Sequence, residues 1–164
     1  MILPLIDEQL PDAILDRHAF RGDQTAVVSS EAFLAVVDLL FREGFQLLVD
    51  VTAVDWFQRD PRFDVVYHFL NLASQERVRL KVRVNDQEAL PSLVPRYKAA
   101  DWFEREVFDM FGIAFTGHPR LERLLMWRDF PGYPLRKDYP LDGGDSFCGD
   151  VGASFAGHAK TLND

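Results

Sequence analysis

The residues of this 164-residue chain best placed for chemistry are the carboxylates of Trp102-Phe103-Glu104-Arg105-Glu106-Val107-Phe108-Asp109-Met110-Phe111. Paired carboxylates perform acid–base work, as in glycoside hydrolysis, when both flank one bond. Read as a helix at ~100° per residue, Glu104 and Glu106 point apart and cannot share a substrate. Glu106 and Asp109 are three residues apart and can. Arg105 close by would hold both carboxyls low, which suits anions better than a general acid. A free-standing acid–base enzyme using Glu106 and Asp109 is therefore the weaker of the functional readings. No nucleophile is set up either: there is no Gly-x-Ser-x-Gly elbow, and Cys148 sits in a glycine-rich stretch with no obvious histidine partner. Neither common phosphate-cradling glycine pattern occurs. His18, His68, His118 and His158 contain no pair four residues apart, and one cysteine cannot supply a zinc or iron–sulfur ligand set. His118, in Gly117-His118-Pro119, reads as a hydrogen-bonded turn residue. The expectation is a chain that binds no cofactor and does no chemistry by itself.

Composition narrows the class further. Eighteen Lys and Arg against 26 Asp and Glu give a net charge of −8, which argues against non-specific binding to nucleic acid or anionic lipid, both polyanions. A single cysteine allows no intramolecular disulfide and fits a reducing compartment. No stretch reaches the ~18–20 apolar residues that span a bilayer. Met1 to Glu8 reads neither as a signal peptide nor as a transit sequence. The expectation is a soluble protein that stays where it is made. Fourteen Phe residues are a heavy apolar load, and more than one buried surface is needed to absorb them.

The elements that must position these residues follow from periodicity. Asp7 to His18 predicts a short helix, and Thr25 to Val28 a short strand. Ser29 and Ser30 then offer capping oxygens to a helix carrying Phe33, Val36, Val37, Leu40 and Phe41, which ends at Gly44. Gln46 to Asp55 predicts a strand with Leu47, Val49, Val51 and Ala53 on one face. After a turn at Asp60-Pro61, Phe63, Val65, Tyr67 and Phe69 alternate along the next strand. In Arg77 to Val84, Val78, Leu80, Val82 and Val84 point one way and Arg77, Arg79, Lys81 and Arg83 the other, a period of 2 without error. That basic face reads as a solvated sheet face, because no aromatic residues interleave as a single-strand nucleic-acid binder requires. Pro91 and Pro95 mark a loop, and Ala99 to Phe111 predicts a helix ended by Gly112.

On that last helix Phe103, Val107, Met110 and Phe111 make a core-facing stripe. Trp102, however, falls among Arg105, Glu106 and Asp109, and Glu104 falls between Phe108 and Phe111. Two readings stay open. One is a surface helix with an Arg105–Asp109 ion pair, worth ~0.3–0.5 kcal/mol. The other is a helix enclosed on both sides, its charges paired because isolated ones are too costly. From Gly117 to Pro140 the chain is irregular, yet it carries Leu121, Leu124, Leu125, Met126, Trp127, Phe130, Tyr133 and Leu135. A true linker would be polar, so this segment has to be covered by something. Gly132 to Pro140 forms a proline-stiffened strap, and Arg120 to Asp138 holds five basic and three acidic residues in an otherwise acidic chain. The stretch from Leu141 onward predicts an extended or partly mobile arm.

The motifs now become specific. Glu104-Arg105-Glu106, Asp109, Phe111-Gly112, Gly117-His118-Pro119, Arg123-Leu124-Leu125 and Pro134-Leu135-Arg136-Lys137-Asp138-Tyr139-Pro140 resemble the thirty-kilodalton subunit family of respiratory complex I. In bacteria this family is the C subunit of NADH–quinone oxidoreductase. Asp50 to Asp55 and Val65 to His68 are similar too, so the resemblance covers roughly Phe33 to Leu141. It implies a two-layer α+β fold, a mixed sheet packed on helices, with residues 1–116 as the core domain and 117–164 as a strap and arm without independent folding. It implies a non-catalytic structural subunit of the peripheral arm, on the cytoplasmic face of the membrane. NADH, FMN, iron–sulfur clusters and quinone would be bound by other subunits. Implied partners are the quinone-site subunit of the forty-nine-kilodalton type and the subunit with the terminal iron–sulfur cluster. Nucleic acid is not among them, and contact with the membrane is only indirect. Trp102, Glu104, Arg105, Glu106, Asp109, His118, Arg123, Arg136, Lys137 and Asp138 are then expected at the partner interface. Arg105→Ala is expected to impair assembly by stranding carboxylates. The equivalent subunit of a ferredoxin-using complex or a membrane-bound hydrogenase is the alternative.

Overall fold

The computed structural model describes residues 2–141; Cys148, His158 and the arm from Asp142 onward lie outside the described residues. The chain folds as α1 (Leu3–Gln9), β1 (Ile14–Phe20), β2 (Asp23–Val28), α2 (Phe33–Arg42), β3 (Leu47–Asp55), β4 (Phe63–Leu70), β5 (Arg77–Val84), β6 (Ala89–Pro91), α3 (Ala100–Phe111) and β7 (Ala114–Thr116). Five strands form one sheet in the order β1-β2-β5-β4-β3, antiparallel except for the β2–β5 pair. One face of that sheet carries Val65, Tyr67, Phe69, Leu80 and Val82. These pack with Phe33, Val36 and Leu40 of α2 and with Val107, Met110 and Phe111 of α3 in a single apolar core. The expected two-layer α+β arrangement with a mixed sheet is the one observed.

Two local expectations fail for identifiable reasons. The first helix starts earlier and ends earlier than Asp7 to His18. Pro4 sits in its first turn, where a missing N–H costs nothing, and Leu3 and Ile6 provide its buried side. Pro11 and the left-handed Asp12 (φ 65°) then stop it. Residues 14–20 instead form a strand hairpinned to β2 through Arg21-Gly22, both at positive φ as a type I′ turn requires. In β3 the inward face is Leu48, Val51 and Ala53; Leu47 and Val49 are exposed. A register shift between Leu48 and Asp50 moves the alternation by one residue, which a strict period of 2 cannot foresee.

β5 keeps its alternation, with Val78, Leu80, Val82 and Val84 all buried. Its basic face is not merely solvated. Asp64 on β4 is buried, lies 3.9 Å from Lys81 and from Arg83, and is paired with Arg59. The short parallel pair β6–β7 has no repeating pattern from which it could be predicted. α3 ends at Gly112 in the left-handed region (φ 76°), and a Cβ there would meet the Tyr133 ring at 2.5 Å. Glycine is required twice over at this position, once for conformation and once for space.

Candidate functional site

α3 presents three buried polar side chains, Glu104, Arg105 and Asp109, while Trp102 and Glu106 on the same helix are exposed. The helix is therefore enclosed over part of its charged side only, and among the described residues Asp109 alone of these carboxylates gains a cation. Asp109 is the hub. Its Oδ2 accepts the backbone N–H groups of Leu124 (3.0 Å), Leu125 (2.7 Å) and Met126 (2.9 Å), and its Oδ1 accepts Arg123 Nη1 at 2.7 Å. Burial pushes this carboxyl up, but the three amides and the Arg123 guanidinium outweigh it and hold it below the usual carboxylate range. Arg123 in turn donates to the carbonyls of Asp109, Phe130 and Gly132. One ion pair therefore fixes an irregular loop from residue 123 to residue 132.

The cation of Asp109 is Arg123, so the Arg105–Asp109 pair offered by the surface-helix reading does not form. Arg105 donates to the Glu122 and Arg123 carbonyls (3.1 and 3.2 Å) and covers the Trp102 ring at 5.2 Å. Removing Arg105 frees two carbonyls and an indole face. It strands no carboxylate; that consequence belongs to the removal of Arg123.

The strap is held by a second network. Arg136 donates to the Phe111 carbonyl (2.5 Å), pairs with Asp86 (2.6 Å) and lies over the rings of Tyr133 and Phe63. Leu135 N–H reaches the Met110 carbonyl, and Lys137 N–H reaches Asp55 Oδ2 at 2.8 Å. Arg62 bridges Asp55 and Asp138, each at 2.7 Å. The Arg62 hydrogen bonds hold Asp55 well below the usual carboxylate range, and they lower Asp138 as well. The Lys137 side chain is not part of this network; only its backbone is used. Arg62 has no motif around it in the sequence, and Asp55 carries only its place in an acidic-ended strand, so spacing gives no sign of this pair.

The His118 side chain is buried and bonded on both ring nitrogens. Nδ1 accepts the Arg120 N–H at 3.0 Å, which leaves the proton on Nε2, 3.2 Å from the Asp101 carbonyl. It is a turn residue, as expected. Glu106 is exposed while Asp109 is fully buried with donors on both oxygens, so these two carboxyls do not flank one cleft. Among the described residues no group of three or more His, Cys, Asp or Glu is arranged to hold a metal, and no helix is long and apolar enough to cross a membrane.

Four large apolar side chains on and around this scaffold are exposed. Trp102 (57% exposed) comes from α3, Leu125 (60%) and Trp127 (49%) from the loop that Asp109 and Arg123 fix, and Leu135 (54%) from the strap. Phe108, Glu122, Arg123, Met126 and Arg128 line a groove over the same loop. Phe130 is buried behind Trp127, their rings edge-on at 4.7 Å.

Residues 26–145 match the family model of the respiratory-chain NADH dehydrogenase, 30 Kd subunit. The chain belongs to that family. Among curated members, the NADH-quinone oxidoreductase C subunit of Ruegeria pomeroyi is 47% identical over 135 residues, covering 80% of this chain and 68% of its own length. The C subunit of Citrifermentans bemidjiense is 43% identical over 142 residues, 85% of this chain and 88% of that one. That of Dinoroseobacter shibae is 43% identical over 141 residues, and the chain spans 66% of its length. Of solved structures, a trypsin-resistant fragment of Nqo5 superposes with a TM-score of 0.66 at 28% identity, covering 72% of this chain and 97% of the fragment. A chain of the membrane-bound sulfane sulfur reductase, an archaeal respiratory membrane complex, gives 0.74 at 28% identity, with 85% and 84% covered. Of the motifs that carry the family resemblance, Asp109 with Arg123-Leu124-Leu125 builds the hub, and Leu135 to Asp138 enters the strap network.

Proposed function

We propose that this family member is a non-catalytic structural subunit of the peripheral arm of a proton-translocating NADH–quinone oxidoreductase, supporting its quinone-reducing module. The observation that carries this reading is the exposure of Trp102, Leu125, Trp127 and Leu135 on α3, the pinned loop and the strap. Large apolar side chains on an irregular segment, such as Leu125 and Trp127, would ordinarily collapse inward. Here the segment is pinned from below by Asp109 and Arg123, so its apolar tips are held outward, a layout that marks an interaction site. Glu104, Arg105, Asp109, His118, Arg123 and Arg136 shape this surface from within. Trp102, Glu106, Lys137 and Asp138 present side chains towards a partner. The partners are the quinone-site subunit of the forty-nine-kilodalton type and the terminal iron–sulfur subunit; NADH, FMN, clusters and quinone belong to other chains. The chain works on the cytoplasmic face and meets the membrane only through the complex, with residues 1–116 as core and 117–164 as strap and arm.

Pull-down of the tagged chain from membranes solubilised in mild detergent tests this. Recovery of the quinone-site and iron–sulfur subunits is the expected result. A chain that is recovered as a partner-free monomer from cells respiring on NADH would overturn it. The likeness to the sulfane sulfur reductase chain favours a second reading, the equivalent subunit of a related ferredoxin-using complex or membrane-bound hydrogenase. The electron-input subunits that co-purify distinguish the two.

A further inference from the structure

Glu104 differs from the other buried acids. Its carboxyl meets two neutral donors: the Ser92 hydroxyl, 2.7 Å from Oε2, and the Leu93 N–H, 2.7 Å from Oε1. Among the described residues no cation is paired with it. Arg105, its neighbour on α3, is turned to the Glu122 and Arg123 carbonyls, and His118 reaches Asp101 instead. Asp101, one turn earlier on α3, is a like charge. From β4 the Tyr67 hydroxyl is buried without a hydrogen-bond partner among the described residues, so it supplies no third donor. Asp109, equally buried, has a guanidinium and three amides. An anion with two neutral donors and no counter-ion in a dry site bears most of its desolvation cost. Burial accordingly pushes the Glu104 carboxyl up to about 7, against the opposing Ser92 and Leu93 bonds.

The Glu104 carboxyl can take up a proton and keep both of its partners. Oε1 accepts from Leu93 in either state. Ser92 Oγ already accepts the Val94 N–H at 3.2 Å, and its hydroxyl is free to rotate. It donates to Oε2 when Glu104 is an anion, and it accepts from Oε2–H when Glu104 is neutral. We propose that Glu104 and Ser92 form a buried proton-binding site, in which a neutral Glu104 donates to Ser92 and an ionised Glu104 accepts from it. The proton comes from solvent and returns to it. Its arrival sets how firmly α3 is held to the 92–94 turn, and α3 also carries Trp102, Arg105 and Asp109. This inference does not depend on the identity of any partner.

Infrared difference spectra of the full chain, recorded from about pH 5 to 9, test it through the C=O stretch of a protonated carboxyl, assigned by its absence in Glu104→Gln. The band is expected at the acid end and is expected to fade with a midpoint near 7. Ser92→Ala removes a donor that favours the charged form, so its midpoint is expected to rise by about half a pH unit or more. Should Glu104→Gln fail to fold, carbon-13 shifts of the glutamate carboxyls read the same titration in the unaltered chain and in Ser92→Ala. A Glu104 already ionised at the acid end, or a midpoint that Ser92→Ala leaves in place or lowers, overturns the proposal.

Discussion

Arg123 spends its guanidinium on a carboxylate and three backbone carbonyls at once, and only a planar fork can reach all of them. Arg123→Ala leaves Asp109 buried without its cation and is expected to cost about 3–5 kcal/mol, as for other broken buried pairs. Arg123→Lys is expected to recover only a small part of that; urea unfolding of both variants measures it. Asp55 and Asp138 make an acid-side prediction. Each holds its proton less tightly folded than unfolded, so their contribution is present above the ordinary aspartate value of 3.8 and is lost as pH falls below it. Thermal unfolding between about pH 5 and 2 should show a steep loss that Asp55→Asn makes shallower. Glu104 acts with the opposite sign. Its proton is held more tightly in the fold, so stability declines as pH rises from 4.5 to about 7 and is level beyond, a decline absent in Glu104→Gln.

Among the elements, α3 is the most legible from sequence because its apolar stripe and its terminal glycine agree on one boundary. The β5 alternation is equally plain. What sequence does not disclose is where registers slip: the bulge in β3 turns Val49 outward, and Pro11 with Asp12 converts a helical-looking 14–20 into an edge strand. The candidate site divides the same way. Asp109, Arg123 and Arg136 lie in recognisable motifs, but that Asp109 chooses Arg123 over Arg105 depends on a loop returning from fourteen residues away. Arg62 and Ser92 cannot be found from spacing at all, since each meets its partner through tertiary packing. Gly112 offers a test at this scale. Gly112→Ala forces both a strained φ and a clash with Tyr133, and is expected to cost more than about 1 kcal/mol. Trypsin cleavage at Arg123, Arg128 or Arg136 should accelerate with it.

At the scale of the whole molecule, stability and association are separable. The apolar tips of Leu125 and Trp127 contribute little to the core, whereas the charges below them hold the loop. Leu125→Asp combined with Trp127→Ser is expected to leave the melting temperature of the isolated chain within a few degrees. The same pair of changes should lower recovery of partner subunits at least tenfold in the detergent pull-down, on the scale expected for losing a central aromatic anchor.

The strap leaves the ribosome after the elements that receive it. Asp55 and Arg62 wait on a finished hairpin for Lys137 and Asp138, and Asp109 waits on α3 for Leu124 to Met126. A nascent chain grows from its N-terminus, so the residues that receive the strap are synthesised before it. A copy whose sheet is misregistered would lack the Asp55 and Arg62 positions that fasten the strap, so a fastened strap reports on the sheet beneath it.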